Sequence, residues 1–490
     1  MKNLSSIACA MTLSLCCTAA TAAKRPNIIL IMADDLGWGD VGFNGNEIIK
    51  SPNLDLMASE GVKFNRFYSA SAVSSPTRAS VLTGRSPIRT GVFSANRGLL
   101  REEEITLPEL LLEQGYTTGH FGKWHLGTLT HTQKDGRRGR DGETKYYNPP
   151  ILHGYTAALV TEVSVPTYDP LVMPIDGDNG DGWDEIKEGQ ATKPSGSSYW
   201  DIEGSKVTEN MSGDDSRIIM DRVLPFIDKS QEQKSPFLAV VWFHAPHMPV
   251  VAGEKYANMY SEYEPRFRNY AGCITAMDEQ IGRLRKYLID NDLYDNTIIC
   301  FCSDNGPENA PENMGGVTGG YRGRKRSLYE GGVRVPAFII WRDVIKRPFI
   351  TDYPAYTCDY LPTLAAAAGV DNSKCRYKLD GINIKSMLAG KESERPVPII
   401  TGALRQGSYS DNQYKLYKTA KVVECYDIVA DPYEKNPLPT NEMFKGYEQQ
   451  IMSMLSSYRL SFEGEEYGRK SYNRVEQTWN DSMLINLKME

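Results

Sequence analysis

Six short stretches of this chain carry side chains suited to chemistry. Asp34 and Asp35 are adjacent, and Asp304 is followed by Asn305. Carboxylates joined by a carboxamide make an oxygen-only donor set, which suits a hard cation such as Ca²⁺ or Mg²⁺ better than zinc, whose preference is His or Cys. Gathered without a cation these acids would repel one another, and a metal relieves that. The alternative is a set of separate loop-capping acids. Further on, Ser74-Ser75-Pro76-Thr77-Arg78 leads into Thr83-Gly84-Arg85. Pro76 fits the first turn of a helix, which puts Ser74 at its N-terminus, where free N–H groups and the helix dipole attract an anion. Arg78 then sits one turn in. Taken alone, the string is also an ordinary capped helix.

Gly122-Lys123-Trp124-His125-Leu126-Gly127 pairs a cation with an imidazole. Alternation along an extended segment puts Lys123 and His125 on one side, a pair able to bind an anion and move a proton. Such pairs are often merely solvated, but the chain has only six histidines. Two more, His244 and His247, follow an apolar run. Lys325 belongs to a segment, residues 322–334, with five positive charges. That density in an acidic chain points to an anionic ligand, with a solvated loop as the alternative.

These stretches lie far apart in sequence, so a scaffold must gather them. Three apolar runs do so by design: 27–33 ends in Asp34-Asp35, 237–243 in His244 and His247, and 297–303 in Asp304-Asn305. Unbroken apolar runs of this kind are strands buried on both faces of a parallel sheet. In open α/β sheets ligands bind outside the carboxyl ends of the strands, so the three polar ends converge. Helical signals fill the gaps. Ser51-Pro52 opens a helix that Gly61 stops, and Thr106 and Pro108 open another that Gly115 closes. Tyr270, Cys273, Ile274, Met277, Ile281, Leu284 and Leu288 mark the buried stripe of the longest. The expectation is an α/β fold: a large, mixed, mostly parallel sheet sandwiched by helices, followed by a smaller C-terminal α+β subdomain.

Residues 133–196 lack periodicity but hold Tyr146, Tyr147, Tyr155, Tyr168 and Trp183. They are expected to form a long loop insertion that faces a substrate. After about residue 395, 414–417 and 422–429 read as short strands and 447–458 as an amphipathic helix. The domain expectation is therefore 1–22, 23–395 and 396–490. The first of these has the layout of a secretory signal: Lys2, the apolar run Ile7 to Leu15, then Ala20-Thr21-Ala22. Export to the periplasm follows as an expectation, with an uncleaved anchor or a lipid on Cys16 or Cys17 as alternatives. No later stretch reads as a membrane span.

With 55 Lys+Arg against 62 Asp+Glu, the formal charge of −7 argues against a nucleic-acid partner held by a general basic face. Removing 1–22 leaves Cys273, Cys300, Cys302, Cys358, Cys375 and Cys425 in an oxidising compartment. Cys300 and Cys302 share one face of a strand, as small buried residues or as a bridge. Cys358 and Cys375 enclose a short loop and are the better disulfide candidates.

Taken in order, these segments closely resemble the formylglycine-dependent sulfatases of the alkaline phosphatase superfamily. The family's signature is Cys or Ser, any residue, Pro, any residue, Arg, then Thr-Gly-Arg; here it is Ser74, Pro76, Arg78 and Thr83-Gly84-Arg85. Asp34-Asp35, Gly122 to Gly127, His247 and Asp304-Asn305-Gly306 match as well. The resemblance implies an alkaline phosphatase-like fold and one Ca²⁺ held by Asp34, Asp35, Asp304, Asn305 and residue 74. It implies that Ser74 is oxidised to formylglycine by a radical maturation enzyme, as in the Ser-type bacterial branch. The hydrated aldehyde would attack sulfur, form a covalent sulfate ester on residue 74 and expel sulfate through its second hydroxyl. By position, Arg78 and Lys123 would stabilise the diol, His125 would take the proton during elimination, and His247 with Lys325 would bind sulfate and protonate the leaving oxygen. His244 has no assigned role beyond structure or substrate contact.

A signal peptide, a Ser-type motif and an aromatic loop region look like sulfatases that act on host or dietary glycans. The implied substrate is a sulfated carbohydrate, galactose or N-acetylgalactosamine sulfate of mucin or glycosaminoglycan, cut in exo fashion. Two alternatives are a phosphoester or phosphonate hydrolase on the same scaffold and a non-catalytic protein that binds sulfated glycan.

Overall fold

Asn27–Ala33, Phe237–Trp242 and Thr297–Ser303 are neighbouring parallel strands in a computed structural model that describes residues 25–468, apart from 139–141, 143–144, 177–180, 309–314 and 404. The expected signal segment, 1–22, lies outside the described residues. Ile29 pairs with Ala239 on one side and Ile299 on the other. Successive side chains of the Asn27 strand enter two different cores. Ile28, Leu30 and Met32 pack with Leu82, Leu110 and Leu361, whereas Ile29, Ile31 and Ala33 pack with Ile219, Met277 and Leu284. Burial on both faces is why the run is apolar without alternation. Each Ile or Leu so removed from water contributes about 1.5–3 kcal/mol.

Among the described residues the sheet has ten strands. Thr117–Lys123 and Ala157–Thr161 extend it in parallel beyond the Phe237 strand, and Tyr199–Asp201 and Lys206–Val207 finish that edge antiparallel. On the other side Ala337–Ile340 runs antiparallel to the Thr297 strand, followed by Val62–Phe64 and Phe349–Thr351. Helices Ser74–Thr83, Leu107–Leu112 and Tyr360–Ala367 cover one face. Pro52–Ser59, Asp215–Glu232 and Pro265–Asp290 cover the other. The α/β expectation is met.

Three local expectations need correction. Ser51 does not cap the Pro52 helix; Asp278, from the long helix, accepts the N–H groups of Asn53 and Leu54 at 3.1 and 2.7 Å instead. A tertiary carboxylate satisfies the free donors that a local hydroxyl was expected to take. The segment 133–196 is not loop throughout, since Ala157–Thr161 is a strand of the main sheet and Val172–Pro174 pairs with Thr192–Pro194. All six cysteines from 273 onward are free. Cys358 packs with Tyr68 and Leu328, while Cys375 packs at the edge of a different cluster, so the expected loop bridge does not form. Cys300 and Cys302 share one strand face as small buried residues.

The C-terminal subdomain is an antiparallel sheet of Ile399–Ala403, Gln406–Ser410, Tyr414–Lys418 and Val423–Asp427. Helix Glu442–Phe462 lies across it, with Ile451, Leu455 and Tyr458 against Ile400, Tyr409 and Leu416. Two strands were expected. Of the other two, Gln406–Ser410 is rich in Gly and Ser and Ile399–Ala403 does not alternate, so neither is seen in sequence.

Candidate active site

Strand ends supply the acids. Directly after Ala33, Asp35 takes φ +65°, and this abrupt turn lets its N–H donate to Asp304 Oδ1 at 3.0 Å. Ser303 Oγ accepts from Leu36 N at 3.0 Å, tying the two strand ends together. Asn305 Nδ2 donates to Asp35 Oδ1 at 2.6 Å. Asp34, Asp35, Asp304 and Asn305, expected from sequence as one oxygen cluster, are in fact one cluster, and all four are buried.

Ser74 begins the helix Ser74–Thr83, and Gly84 at φ +66° ends it. Its Oγ donates to Asp34 Oδ1 at 3.2 Å and lies 3.5 Å from Asn305 Oδ1. One turn on, Arg78 Nη2 reaches Asp304 Oδ2 at 2.8 Å and Asp34 Oδ2 at 3.5 Å. Its guanidinium lies over the Trp242 ring, 5.1 Å from the centroid. Arg78 is fully buried behind the acids.

Lys123 Nζ donates to Asp34 Oδ2 at 2.6 Å. The alternation argument for Lys123 and His125 does not hold as stated, because the strand ends at Lys123 and His125 has φ +59°. Both nevertheless line the same cavity. Gly122 permits the approach of this strand end, since a Cβ there would stand 1.9 Å from the Trp242 carbonyl oxygen. His125 Nε2 donates to Asn96 Oδ1 at 2.8 Å, and its Nδ1 is buried with no partner. That tautomer leaves the Nδ1 lone pair free. His247 Nδ1 donates to the Met248 carbonyl at 2.6 Å, so neutral His247 turns the lone pair of Nε2 towards Asp35 Oδ2, 3.6 Å away. Lys325 Nζ donates to Asp35 Oδ2 at 2.6 Å and approaches Glu308 Oε2 at 3.5 Å. His244 is fully buried between Thr161 Oγ1, at 2.7 Å, and Asp215 Oδ2, at 2.8 Å, a structural bridge.

Ser74, Lys123, His125, His247 and Lys325 all line a cavity of about 490 Å³. Its outer wall includes Arg137, Val163, Met173 and Trp183, all from the segment that was expected to be loops. Two residues were missed in sequence, Asn96 and Arg138. Arg138 is buried, pairs with Glu162 at 2.9 Å, and donates to the His125 carbonyl at 3.2 Å and to Ser75 Oγ at 3.3 Å. No spacing marks either one; only the Gly-Arg-Arg-Gly string at 136–139 hinted at a loop with charge to bury.

Electrostatics set the protonation states. Burial pushes Asp34 up, but Lys123, His247, Arg78 and Lys325 outweigh it and hold the carboxyl well below its ordinary range. Burial, then repulsion by Asp34, lifts Asp304 to about 7 despite Arg78. Burial lowers His247 to about 4, with Asp34 and Asp35 opposing. Burial also holds His125 well below the ordinary imidazole range, helped by Lys123, Arg138 and Arg78. Lys325 goes the other way, because Asp35, Asp34 and Glu308 overcome its burial and raise it.

The donor set fits a divalent cation. Three carboxylates, Asp34, Asp35 and Asp304, face three cations, Arg78, Lys123 and Lys325, which balances to zero. One carboxylate, Asp304, is still pushed up to about 7 by burial and by Asp34. A divalent ion beside Asp34 and Asp35, whose oxygens lie within 4.8 Å of one another and of a His247 nitrogen, would relieve that and leave the site positive towards an anionic ester.

A hydroxyl at a helix N-terminus, acids at two strand ends, a histidine beyond a third and cations around one cavity define a hydrolase of tetrahedral, anionic esters on an alkaline phosphatase-like α/β fold. A sequence model of the family described as Sulfatase matches residues 26–370. The N-acetylgalactosamine-6-sulfatase of Canis lupus familiaris is 30% identical over 77% of this chain and 69% of its own length. Arylsulfatase A of Homo sapiens is 33% identical over 75% of this chain and 68% of its own. Among solved structures, Ps i-CgsB in complex with k-i-k-neocarrahexaose is 26% identical, with TM-score 0.72, and the alignment covers 92% of this chain and 94% of that one. The chain belongs to the sulfatase family, and it is a sulfuric ester hydrolase.

Proposed function

We propose that this sulfatase removes O-sulfate from carbohydrate, with galactose or N-acetylgalactosamine sulfate at the end of a mucin or glycosaminoglycan chain as its substrate. The observation that carries this reading is Ser74 on the floor of a sugar-sized cavity, with Lys123, His125, His247 and Lys325 around it. The relative named for N-acetylgalactosamine 6-sulfate and the structural neighbour solved with a neocarrahexaose support the sugar. Trp183 in the outer wall offers a ring face for stacking.

Asp34, Asp35, Asp304, Asn305 and residue 74 would hold Ca²⁺, which would polarise a sulfuryl oxygen as a Lewis acid. Oxidised to formylglycine by a radical maturation enzyme, residue 74 would supply a hydrated aldehyde in place of a plain hydroxyl. The other groups act as themselves. Arg78 orients Asp34 and Asp304 from behind. Lys123 and Lys325 offset negative charge on the sulfuryl oxygens. His125, with Nε2 committed to Asn96, accepts a proton at Nδ1. Lys325, kept protonated by Asp35, gives its proton to the leaving sugar oxygen. His247, its Nδ1–H held by the Met248 carbonyl, keeps Nε2 for the sulfate and, with Lys325, for the leaving oxygen. The enzyme is proposed to work after export to the periplasm. No helix among the described residues is long and apolar enough to cross a membrane.

The test is sulfate release from galactose and N-acetylgalactosamine carrying sulfate at the 4- or 6-position, free and at oligosaccharide ends, with an aryl phosphate in parallel. Mass spectrometry first verifies the loss of two hydrogens from residue 74. Release from one sugar and position is the expected result. Faster phosphate hydrolysis, or binding to the glycans with no release by converted protein, overturns the proposal.

A further inference from the structure

Lys325 sits on a segment with little secondary structure of its own, yet it must be held firmly enough to meet a sulfuryl oxygen. On the core side the segment is pinned by two main-chain bonds, Lys325 N to the Pro307 carbonyl at 3.0 Å and Arg326 N to the Ala72 carbonyl at 2.8 Å. Arg326 itself takes φ +75°, a conformation that a non-glycine residue keeps only when its surroundings impose it. Arg324 donates to the Glu308 carbonyl at 3.0 Å and Arg326 pairs with the Glu308 carboxylate, and further restraint comes from the C-terminal sheet.

Gln406 grips the segment with both ends of its amide. Its Oε1 accepts from Leu328 N at 2.9 Å, and its Nε2 donates to the Arg326 carbonyl at 2.8 Å. Tyr417 OH donates to the same Oε1 at 3.1 Å, fixing the amide's orientation. The Tyr417 ring stacks on Tyr329 with centroids 4.0 Å apart, and Arg322 covers the Tyr329 ring at 3.9 Å. Arg322 in turn reaches Tyr426 OH at 2.6 Å and Glu424 at 3.1 Å. Behind these, Lys415 holds Glu330 at 2.8 Å and Glu434 at 3.1 Å, all three buried. The sheet thus closes on both sides of Lys325's segment, with Gln406 one residue away from the lysine's own peptide.

We propose that Gln406 of the C-terminal sheet is a positioning residue for Lys325, and that the subdomain serves catalysis by clamping the lysine's segment rather than by touching the reacting sulfate. The inference rests on the role given to Lys325 in the proposed function. Gln406 is only half-buried, so its replacement tests position without emptying a core. Gln406→Glu keeps the acceptor for Leu328 N and loses the donor to Arg326, which makes it an intermediate case.

The experiment is a double-mutant cycle between Gln406→Ala and Lys325→Met in matured full-length protein. It is read by kcat, by KM, and by the affinity for inorganic sulfate in calorimetry. Gln406→Ala is expected to lower kcat about tenfold and to weaken sulfate binding severalfold, with an unchanged thermal midpoint; Gln406→Glu falls between it and the wild type. The double variant is expected to be no worse than Lys325→Met, because coupled residues do not add. Additive losses, or an unimpaired Gln406→Ala beside an impaired Lys325→Met, overturn the clamp alone. A fully active Lys325→Met overturns the role of the lysine itself, and the clamp with it.

Discussion

Two buried charge clusters lie on either side of the Lys325 segment, and they differ in what surrounds them. At the strand ends Asp34, Asp35 and Asp304 face Arg78, Lys123 and Lys325 below a cavity of about 490 Å³. In the second, Glu330 and Glu434 face Lys415 and Arg334, with Tyr68 OH donating to Glu330 at 3.0 Å. Both are balanced in formal charge, and in each one carboxyl is pushed up to about 7. Only the first has a hydroxyl on a helix N-terminus and opens onto space. Buried charge by itself therefore does not mark chemistry; buried charge facing a cavity that an anion can enter does. The second cluster fastens one subdomain to another.

The comparison breaks most easily at Ser74. Ser74→Ala is expected to reduce turnover by at least about 10³-fold, since a nucleophile has no substitute, while the thermal midpoint stays near that of the wild type. Sulfate release and calorimetric melting check both halves. Residual turnover within about tenfold of wild type would remove the chemical half of the contrast. The sealed cluster should answer in the opposite sense: Lys415→Met strands Glu434 and leaves Glu330 to Arg334 and Tyr68, and is expected to cost about 3–5 kcal/mol in denaturant unfolding. A cost below about 1 kcal/mol would mean that it is no fastening at all.

Metal sharpens the contrast next. Chelation is expected to abolish turnover, and added Ca²⁺ to restore it. With Ca²⁺ at about a hundred times its dissociation constant, stability should rise by about 2.7 kcal/mol. Asp304→Asn should lose most of that rise, whereas Glu434→Gln should keep it whole. Equal responses of the two variants would show that the ion does not choose the open cluster.

How much of this was legible in sequence depends on distance along the chain. Strand ends could be read because two-sided burial writes itself as an unbroken apolar run, and Asp34, Asp304 and His247 sit just past three such runs. The helix at Ser74 could be read from Pro76. What could not be read depends on partners remote in sequence: Asn96 on His125, Arg138 on Glu162, Asp278 on the Pro52 helix. None of these is marked by period or neighbour, because a tertiary hydrogen bond constrains two positions without patterning the residues between them. The C-terminal sheet was half legible, since Tyr414–Lys418 carries three large apolar side chains in five positions and Gln406–Ser410 carries one.

The smallest expected effect separates the clusters by pH. Glu434 sits at about 7, lifted mainly by burial and by Glu330, with Lys415 opposing, against about 4.3 for an unfolded glutamate. A carboxyl with a raised folded value favours the folded state fully below about pH 4.3 and loses that contribution as pH rises to about 7, because the folded chain holds the proton more tightly. Glu434→Gln cannot titrate, so the difference between wild type and variant isolates this group from every other carboxylate. Between pH 5 and 8 the wild type should lose roughly 2.5 kcal/mol relative to the variant. Chemical denaturation of both proteins across that range, with Ca²⁺ saturating so that the open cluster is silent, reads the slope directly. A difference that stays flat, or one in which the variant loses more than the wild type, would show that Glu434 is ionised throughout and that Lys415 compensates both of its acids.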